Sequence, residues 1–385
     1  MLTPDDWLTR LRTPALLEQW YRDHPETDVI DISSSGVRPF RLGELLDVLG
    51  LAGDVLGDVL LCDGLPAGGL ELRQAVAGRL GLADAGRVMT THGSSEGIFL
   101  ALSALLEPGD EIVTLDPVYH SLRSLAEARG CQVRLWSLRT EDGFAACVDR
   151  LDAVLTHRTR AVVVNFPHNP TGVTLTPGDL DRLLAMVADA SAYLVWDAAF
   201  AELAHDAPPL PDPSLRYERT ISTGTLSKAY GLPGLRVGWV VAPGDVIDRS
   251  IALKDRTTLS LSPLTELIAS RALTGADRLL ALRLPEARRN LDALAAWAGE
   301  RPGQVGWTRP AGGVCSFVRL PDEDDVAFCR SLARERGVVL VPGLAFDSPG
   351  HARLGFGVPA DVFDRGLDEL GRHLERRPAA SGSVR

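Results

Sequence analysis

Ser222-Thr-Gly-Thr-Leu-Ser-Lys-Ala-Tyr-Gly-Leu-Pro-Gly-Leu-Arg-Val-Gly-Trp239 is the stretch around which the rest of the chain falls into order. It sets hydroxyls at Thr225 and Ser227 beside Lys228 and a guanidinium, Arg236, eight residues further on. Arg236 is expected on the strand that follows. Hydroxyls and a fixed cation suit a phosphate dianion, and a lysine amine is the side chain that can close an imine with an aldehyde. Asp197 stands upstream, where Tyr193-Leu-Val-Trp196 reads as a strand ending at its carboxylate. A lone Ser-Lys is ordinarily surface; the spacing to Asp197 and Arg236 argues for a site. The chain holds only one other lysine, Lys254, whose Lys-Asp-Arg run reads as a solvated helix face.

At 385 residues the chain is long enough to bury a large core and to divide into two lobes. Its hydrophobic content of 45% is that of a globular protein. No apolar run reaches the ~20 residues needed to span a bilayer, and Met1-Leu-Thr-Pro-Asp-Asp6 lacks the layout of a secretion signal. Cys62, Cys131, Cys147, Cys315 and Cys329 are scattered without metal-type spacing and read as reduced thiols, so a cytoplasmic, metal-free protein is expected. A net charge of −11 argues against nucleic acid as a partner and is compatible with a cationic substrate.

The middle of the chain alternates β-rich runs with amphipathic helical stretches, as an α/β sheet requires. Strands are expected over residues 88–91, 111–115, 131–135, 161–165, 193–196, 220–223 and 237–241, with helices over 71–82 and 95–106. Past residue 263 the pattern changes. Long helices through 276–300 give way to a strand at 314–320, a helix at 325–336, strands at 338–341 and 352–356, and a last helix over 360–376. The expected organisation is a large α/β domain over 41–262, a smaller α+β domain from 1–40 and 263–376, and a disordered tail at 377–385.

Several further motifs stand at the ends of these elements. Gly93-Ser94-Ser95 joins a strand to a helix, where outward N–H groups favour an anion. Tyr119 and His120 follow Asp116-Pro-Val, and Asn165-Phe-Pro-His-Asn-Pro-Thr-Gly172 is a strand end running into a turn. Read alone, Ser94 is an ordinary N-cap, Tyr119 a packing residue and Asn169 a turn starter. Together with Asp197, Lys228 and Arg236 they resemble the fold-type I pyridoxal-phosphate enzymes of the aspartate-aminotransferase superfamily, over nearly the whole chain. That resemblance implies a mostly parallel seven-stranded sheet in the large domain, pyridoxal 5'-phosphate as cofactor, and a homodimer with shared active sites.

Residue by residue, the resemblance implies that Gly93, Ser94, Ser95, Thr225, Ser227 and Arg236 hold the phosphate and that Tyr119 stacks on the pyridine ring. It implies that Asn169 donates to the phenolic oxygen, Asp197 keeps the ring nitrogen protonated, and Lys228 carries the aldehyde. Arg353, in Arg-Leu-Gly-Phe-Gly, matches the clamp on the substrate α-carboxylate, with Gly36 against that carboxylate. His120 is a candidate for proton transfer near the imine.

Two departures stand out. Phe200 occupies the position where the family usually carries a tyrosine that donates to the phenolic oxygen. Asp63 falls where the family has a tyrosine reaching the other subunit's phosphate; a carboxylate would repel that group, so Asp63 is expected to hold a cationic part of the substrate, such as a guanidinium. Asp31-Ile-Ser-Ser-Ser-Gly36, Met89-Thr-Thr-His-Gly-Ser-Ser-Glu96, Trp196-Asp-Ala-Ala-Phe200 and Thr257-Thr-Leu-Ser-Leu-Ser-Pro263 resemble a narrower subfamily, the capreomycidine synthases of antibiotic pathways. This implies a cyclodehydration of (3S)-3-hydroxy-L-arginine to the cyclic guanidine amino acid. Two alternatives stay open: an aminotransferase acting on a cationic or hydrophobic amino acid, and an α/β-hydrolase using Gly93-Ser-Ser-Glu-Gly97 as a nucleophile elbow.

Overall fold

The structure is a computed structural model that describes residues 4–24, 29–321 and 324–375; the tail expected at 377–385 lies outside them. Twelve strands follow in chain order: β1 (Ile30–Asp31), β2 (Val88–Thr91), β3 (Glu111–Asp116), β4 (Gln132–Ser137), β5 (Thr159–Asn165), β6 (Tyr193–Asp197), β7 (Thr220–Thr225), β8 (Gly238–Val241), β9 (Cys315–Arg319), β10 (Val338–Val339), β11 (Val341–Pro342) and β12 (His351–Gly355).

Seven of them form one sheet in the order β2-β8-β7-β6-β5-β3-β4, parallel throughout except for β8, which runs antiparallel to both its neighbours. The central strands are continuous apolar runs such as Ala161–Val164 because helices cover both faces and leave no side for water. The intervening helices start on their own chemistry. For Pro177–Asp189, Pro177 needs no N–H partner at its position, and the Thr176 hydroxyl accepts from Asp179 N at 3.1 Å. In a parallel arrangement the C-terminal ends of β5, β6 and β7 open on one crevice, where Asn165, Asp197 and Thr225 end their strands.

A second, three-stranded sheet has the order β11-β12-β9, and β1 pairs in parallel with β10. The run expected as one strand at 338–341 is thus divided: Val338 and Val339 pair with the N-terminal segment, while Val341 and Pro342 pair with β12. The helix Leu16–Asp23 packs on the turn Gly343–Phe346, and the helix Pro4–Leu11 lies against Ser121–Arg129, with Trp7 stacked on Phe99 at 6.2 Å. Among the described residues no helix is long and apolar enough to cross a membrane.

One expectation is overturned. Lys254 is not on a solvated face but is fully buried, its Nζ donating to the carbonyls of Pro66 at 2.8 Å and Thr90 at 2.7 Å. Burial pushes its pKa down, opposed by the nearby charges of Glu96 and Glu266. The ammonium fastens the 64–69 loop to the edge strand β2, supplying donors for carbonyls that no ladder reaches. Lys254→Met is expected to leave both carbonyls unpaired and to cost about 2–4 kcal/mol of stability, read as a lower denaturant midpoint with unchanged cofactor content.

Candidate active site

A cavity of about 420 Å³ opens where the ends of β5, β6 and β7 meet the N-terminal segment and β12. Lys228, Asp197, Asn169, Tyr119, Ser94, Ser95, Thr225, Ser227, Arg236 and Arg353 all line it, so most of the residues singled out in the sequence converge. Gly36 and Gly93 do not line it but shape its walls. Asp63 lies outside it, exposed on the chain's surface.

One end of the cavity is built to take an anion. The helix Ser94–Leu105 begins at Gly93 with no side chain capping it, so its first N–H groups are free for a ligand. Gly93 has φ 82°, and a Cβ there would lie 2.6 Å from the Arg236 guanidinium. The positive φ favours glycine, and a side chain there would push the guanidinium aside. Arg236 is not on the following strand as expected; it closes the turn Pro233–Leu235 in the left-handed region at φ 52°. That turn carries its guanidinium back over the helix start, within 3.4 Å of Ser227 Oγ. The Thr225 hydroxyl donates to Val237 O at 3.1 Å and lies 3.0 Å from Ser227 Oγ, which fixes both hydroxyls beside the guanidinium.

The floor is Asp197. Its carboxylate is buried and accepts from Ala199 N at 3.1 Å and from the Thr223 hydroxyl at 3.3 Å. Burial pushes its pKa up to about 6 against those two hydrogen bonds, the mark of a carboxylate placed to receive a cation. Between floor and anion end stands Lys228, whose Nζ donates to Ser35 Oγ at 3.0 Å. Desolvation, and then the charge of Arg353, bring its pKa down to about 8.

The opposite wall is Arg353, 1% exposed. Its guanidinium donates to Ser33 O at 3.1 Å, to Asn169 Oδ1 at 3.1 Å and to Tyr21 Oη at 2.6 Å. All three acceptors are neutral, and among the described residues no carboxylate forms an ion pair with it. A buried cation held only by neutral groups is a site for a carboxylate. Asn169 Oδ1 being engaged, its amide nitrogen is the end left to donate. Gly36 packs behind Lys228; a Cβ there would lie 3.2 Å from Ser227 O.

Three further residues were not legible in the sequence. Tyr21, on the short helix Leu16–Asp23, braces Arg353 and donates to Ser33 O at 3.1 Å. Glu18 lies on the same helix and lines the cavity. His168, inside the Asn165–Gly172 motif, is fully buried and bridges the turns bearing Asn169 and Tyr119. Its Nε2 donates to Pro117 O at 2.9 Å, and its Nδ1 accepts from the Thr171 hydroxyl at 2.8 Å. Burial lowers its pKa to about 3, so it acts as a neutral strut.

Two expectations fail on geometry. His120 does not line the cavity; its ring packs on Tyr119 with centroids 4.4 Å apart, and its Nε2 lies 3.5 Å from the Glu18 carboxylate. The hydrolase elbow fails as well. Among the described residues no histidine lines the cavity beside Ser95, and His92, the histidine next to the turn, is engaged with Glu96 at 3.2 Å. Phe200, buried against the cavity, brings no hydroxyl to it.

The donors at one end, the buried carboxylate at the floor and the amine between them fit a phosphorylated pyridine aldehyde. The comparisons agree. The model of the aminotransferase class I and II family matches residues 64–370. The chain is 46% identical to a capreomycidine synthase of Streptomyces vinaceus, over 96% of each chain. It is 31% identical to the arginine–pyruvate transaminase AruH of Pseudomonas aeruginosa, over 72% of each. The crystal structure of the PLP-dependent cyclase OrfR superposes with a TM-score of 0.91 at 45% identity, covering 95% of this chain and 98% of that one. The chain belongs to the aminotransferase class I and II family, with pyridoxal 5'-phosphate as its cofactor.

Proposed function

We propose that this enzyme converts (3S)-3-hydroxy-L-arginine to capreomycidine by loss of the β-hydroxyl as water and closure of the ring through a guanidine nitrogen. The observation that carries the reading is the 46% identity to a capreomycidine synthase across 96% of both chains. The cofactor supplies an electron sink for the pair left at Cα when its proton departs. Asp197 would favour the protonated ring nitrogen on which that sink depends, and Tyr119 and Asn169 would help to hold the ring.

Arg353 takes the substrate α-carboxylate by its planar fork, replacing neutral acceptors with a charged one. Lys228 removes the Cα proton. With a pKa near 8, a useful fraction of its amine is neutral at physiological pH. The ammonium so formed protonates the departing β-hydroxyl, which leaves as water. A guanidine N–H nitrogen then bonds to Cβ and gives up one proton to the neutral Lys228 amine, which returns it to Cα. One water is lost, and the α-nitrogen stays on the product.

Held in place at both ends, the guanidine attacks intramolecularly, which removes most of the entropic cost of an otherwise difficult addition. The enzyme is expected to work in the cytoplasm as a homodimer with shared active sites. Exposed Leu60 and Leu61, 77% and 75% accessible, support a partner surface there.

The test is mass spectrometry of product formed from α-¹⁵N-labelled 3-hydroxyarginine without any 2-oxo acid. Loss of one water with the label retained is expected. The runner-up, transamination of a cationic amino acid, is favoured by the likeness to an arginine–pyruvate transaminase. It predicts no turnover until an oxo acid is added, and transfer of the label to it.

A further inference from the structure

Among the described residues six charged side chains line the cavity: Lys228, Arg236, Arg353, Asp31, Asp197 and Glu18. The cofactor accounts for Arg236, Asp197 and Lys228, and the substrate carboxylate for Arg353. Asp31 is committed to its own loop, its Oδ1 accepting from Ser33 N at 2.8 Å and from the Ser33 hydroxyl at 2.6 Å. Glu18 has no such duty. Its side chain is 48% exposed, and His120 Nε2 lies 3.5 Å from its carboxylate.

Position adds to this. Glu18 and Tyr21 are three residues apart on the helix Leu16–Asp23 and share one face, about 4.5 Å apart along the axis. Tyr21 touches the Arg353 guanidinium. A substrate gripped by its carboxylate at Arg353 and by its α-amine near Lys228 has its side chain left to run along that face. The carboxylate it meets there is Glu18, whose charge already acts on both Lys228 and Arg353 and whose pKa is held down chiefly by His120.

We propose that Glu18 is the carboxylate that receives the substrate guanidinium, and that His120 is a positioning residue that holds Glu18 toward the cavity. This rests on the guanidine-substrate reading above and names the group that reads it. The sequence expectation gave that task to Asp63, which stands outside this chain's cavity.

The experiment is calorimetric titration of the holoenzyme with L-arginine and with L-citrulline, which has the same shape without the charge. The wild-type protein is expected to prefer arginine 10- to 100-fold, the scale of a charge-assisted pair. Glu18→Gln should reduce that preference to less than about threefold through a higher Kd for arginine, with citrulline affinity and cofactor absorbance unchanged. His120→Phe should weaken arginine binding severalfold and His120→Gln, which restores a donor, should recover it. A preference that survives Glu18→Gln overturns the assignment, as does one lost in Asp63→Asn but kept in Glu18→Gln. If the wild-type protein shows no preference, both the assignment and the guanidine reading fall; if only the variants disagree, the assignment alone falls.

Discussion

Lys228→Ala is expected to lower turnover by on the order of 10⁴-fold or more, because one amine serves as base, acid and covalent anchor. The geometry leaves no substitute. Lys254, the other lysine of the chain, is buried on the carbonyls of Pro66 and Thr90. Reduction of the wild-type holoenzyme with borohydride should therefore place a single pyridoxyl mass on the peptide bearing Lys228, and on no other. In Lys228→Ala the label should vanish, while phosphate-dependent retention of the cofactor persists through Arg236, Ser227 and the helix start. Label on Lys254, or turnover within tenfold of wild type, would falsify the assignment.

Asp197→Asn is expected to separate catalysis from stability. An amide cannot stabilise a protonated ring nitrogen as a carboxylate does, so turnover should fall by on the order of 10³-fold. The cofactor-free protein should respond in the opposite sense. Burial raises the Asp197 pKa from 3.8 to about 6, so the folded state binds its proton more tightly than the unfolded chain. The stability from this group is thus fully present below about pH 3.8 and lost as the pH rises through about 6. The penalty above that window is on the order of 3 kcal/mol, shared with relaxation of the surroundings. An asparagine keeps an oxygen for Ala199 N and carries no charge. Denaturant unfolding of cofactor-free Asp197→Asn at pH 8 should show a higher midpoint than wild type, and the gap should close below pH 4. A lower midpoint at pH 8 would show that the carboxylate is not the strained group described here.

The parts of this site legible in the sequence are those written contiguously. Thr225, Ser227, Lys228 and Arg236 fall within one segment, and Gly93-Ser94-Ser95 and Asn165–Gly172 each pack a turn's chemistry into a few residues. The sheet was legible for a similar reason: Ala161–Val164 and Tyr193–Trp196 carry enough apolar character to admit one burial state. Arg236 was misplaced by a few residues because a Pro-Gly-Leu turn with a left-handed arginine leaves little periodic signal. Lys254 was misread because its burial is dictated by carbonyls at Pro66 and Thr90, 188 and 164 positions away, and nothing in Lys-Asp-Arg announces them. Glu18 and Tyr21 carry no motif; they matter only because the helix Leu16–Asp23 comes to rest beside β12. His120 was read from its neighbour Tyr119, whereas its working contact is that same helix.

The bond from Arg353 to Tyr21 spans 332 positions, while every side chain proposed for the phosphate lies between Gly93 and Arg236. Closure over so long a separation carries the larger entropic cost. A nascent molecule would then be able to seat its vitamin-derived prosthetic group before it possesses any grip on an amino acid. Reactive chemistry would stay silent until the two ends of the polypeptide have met.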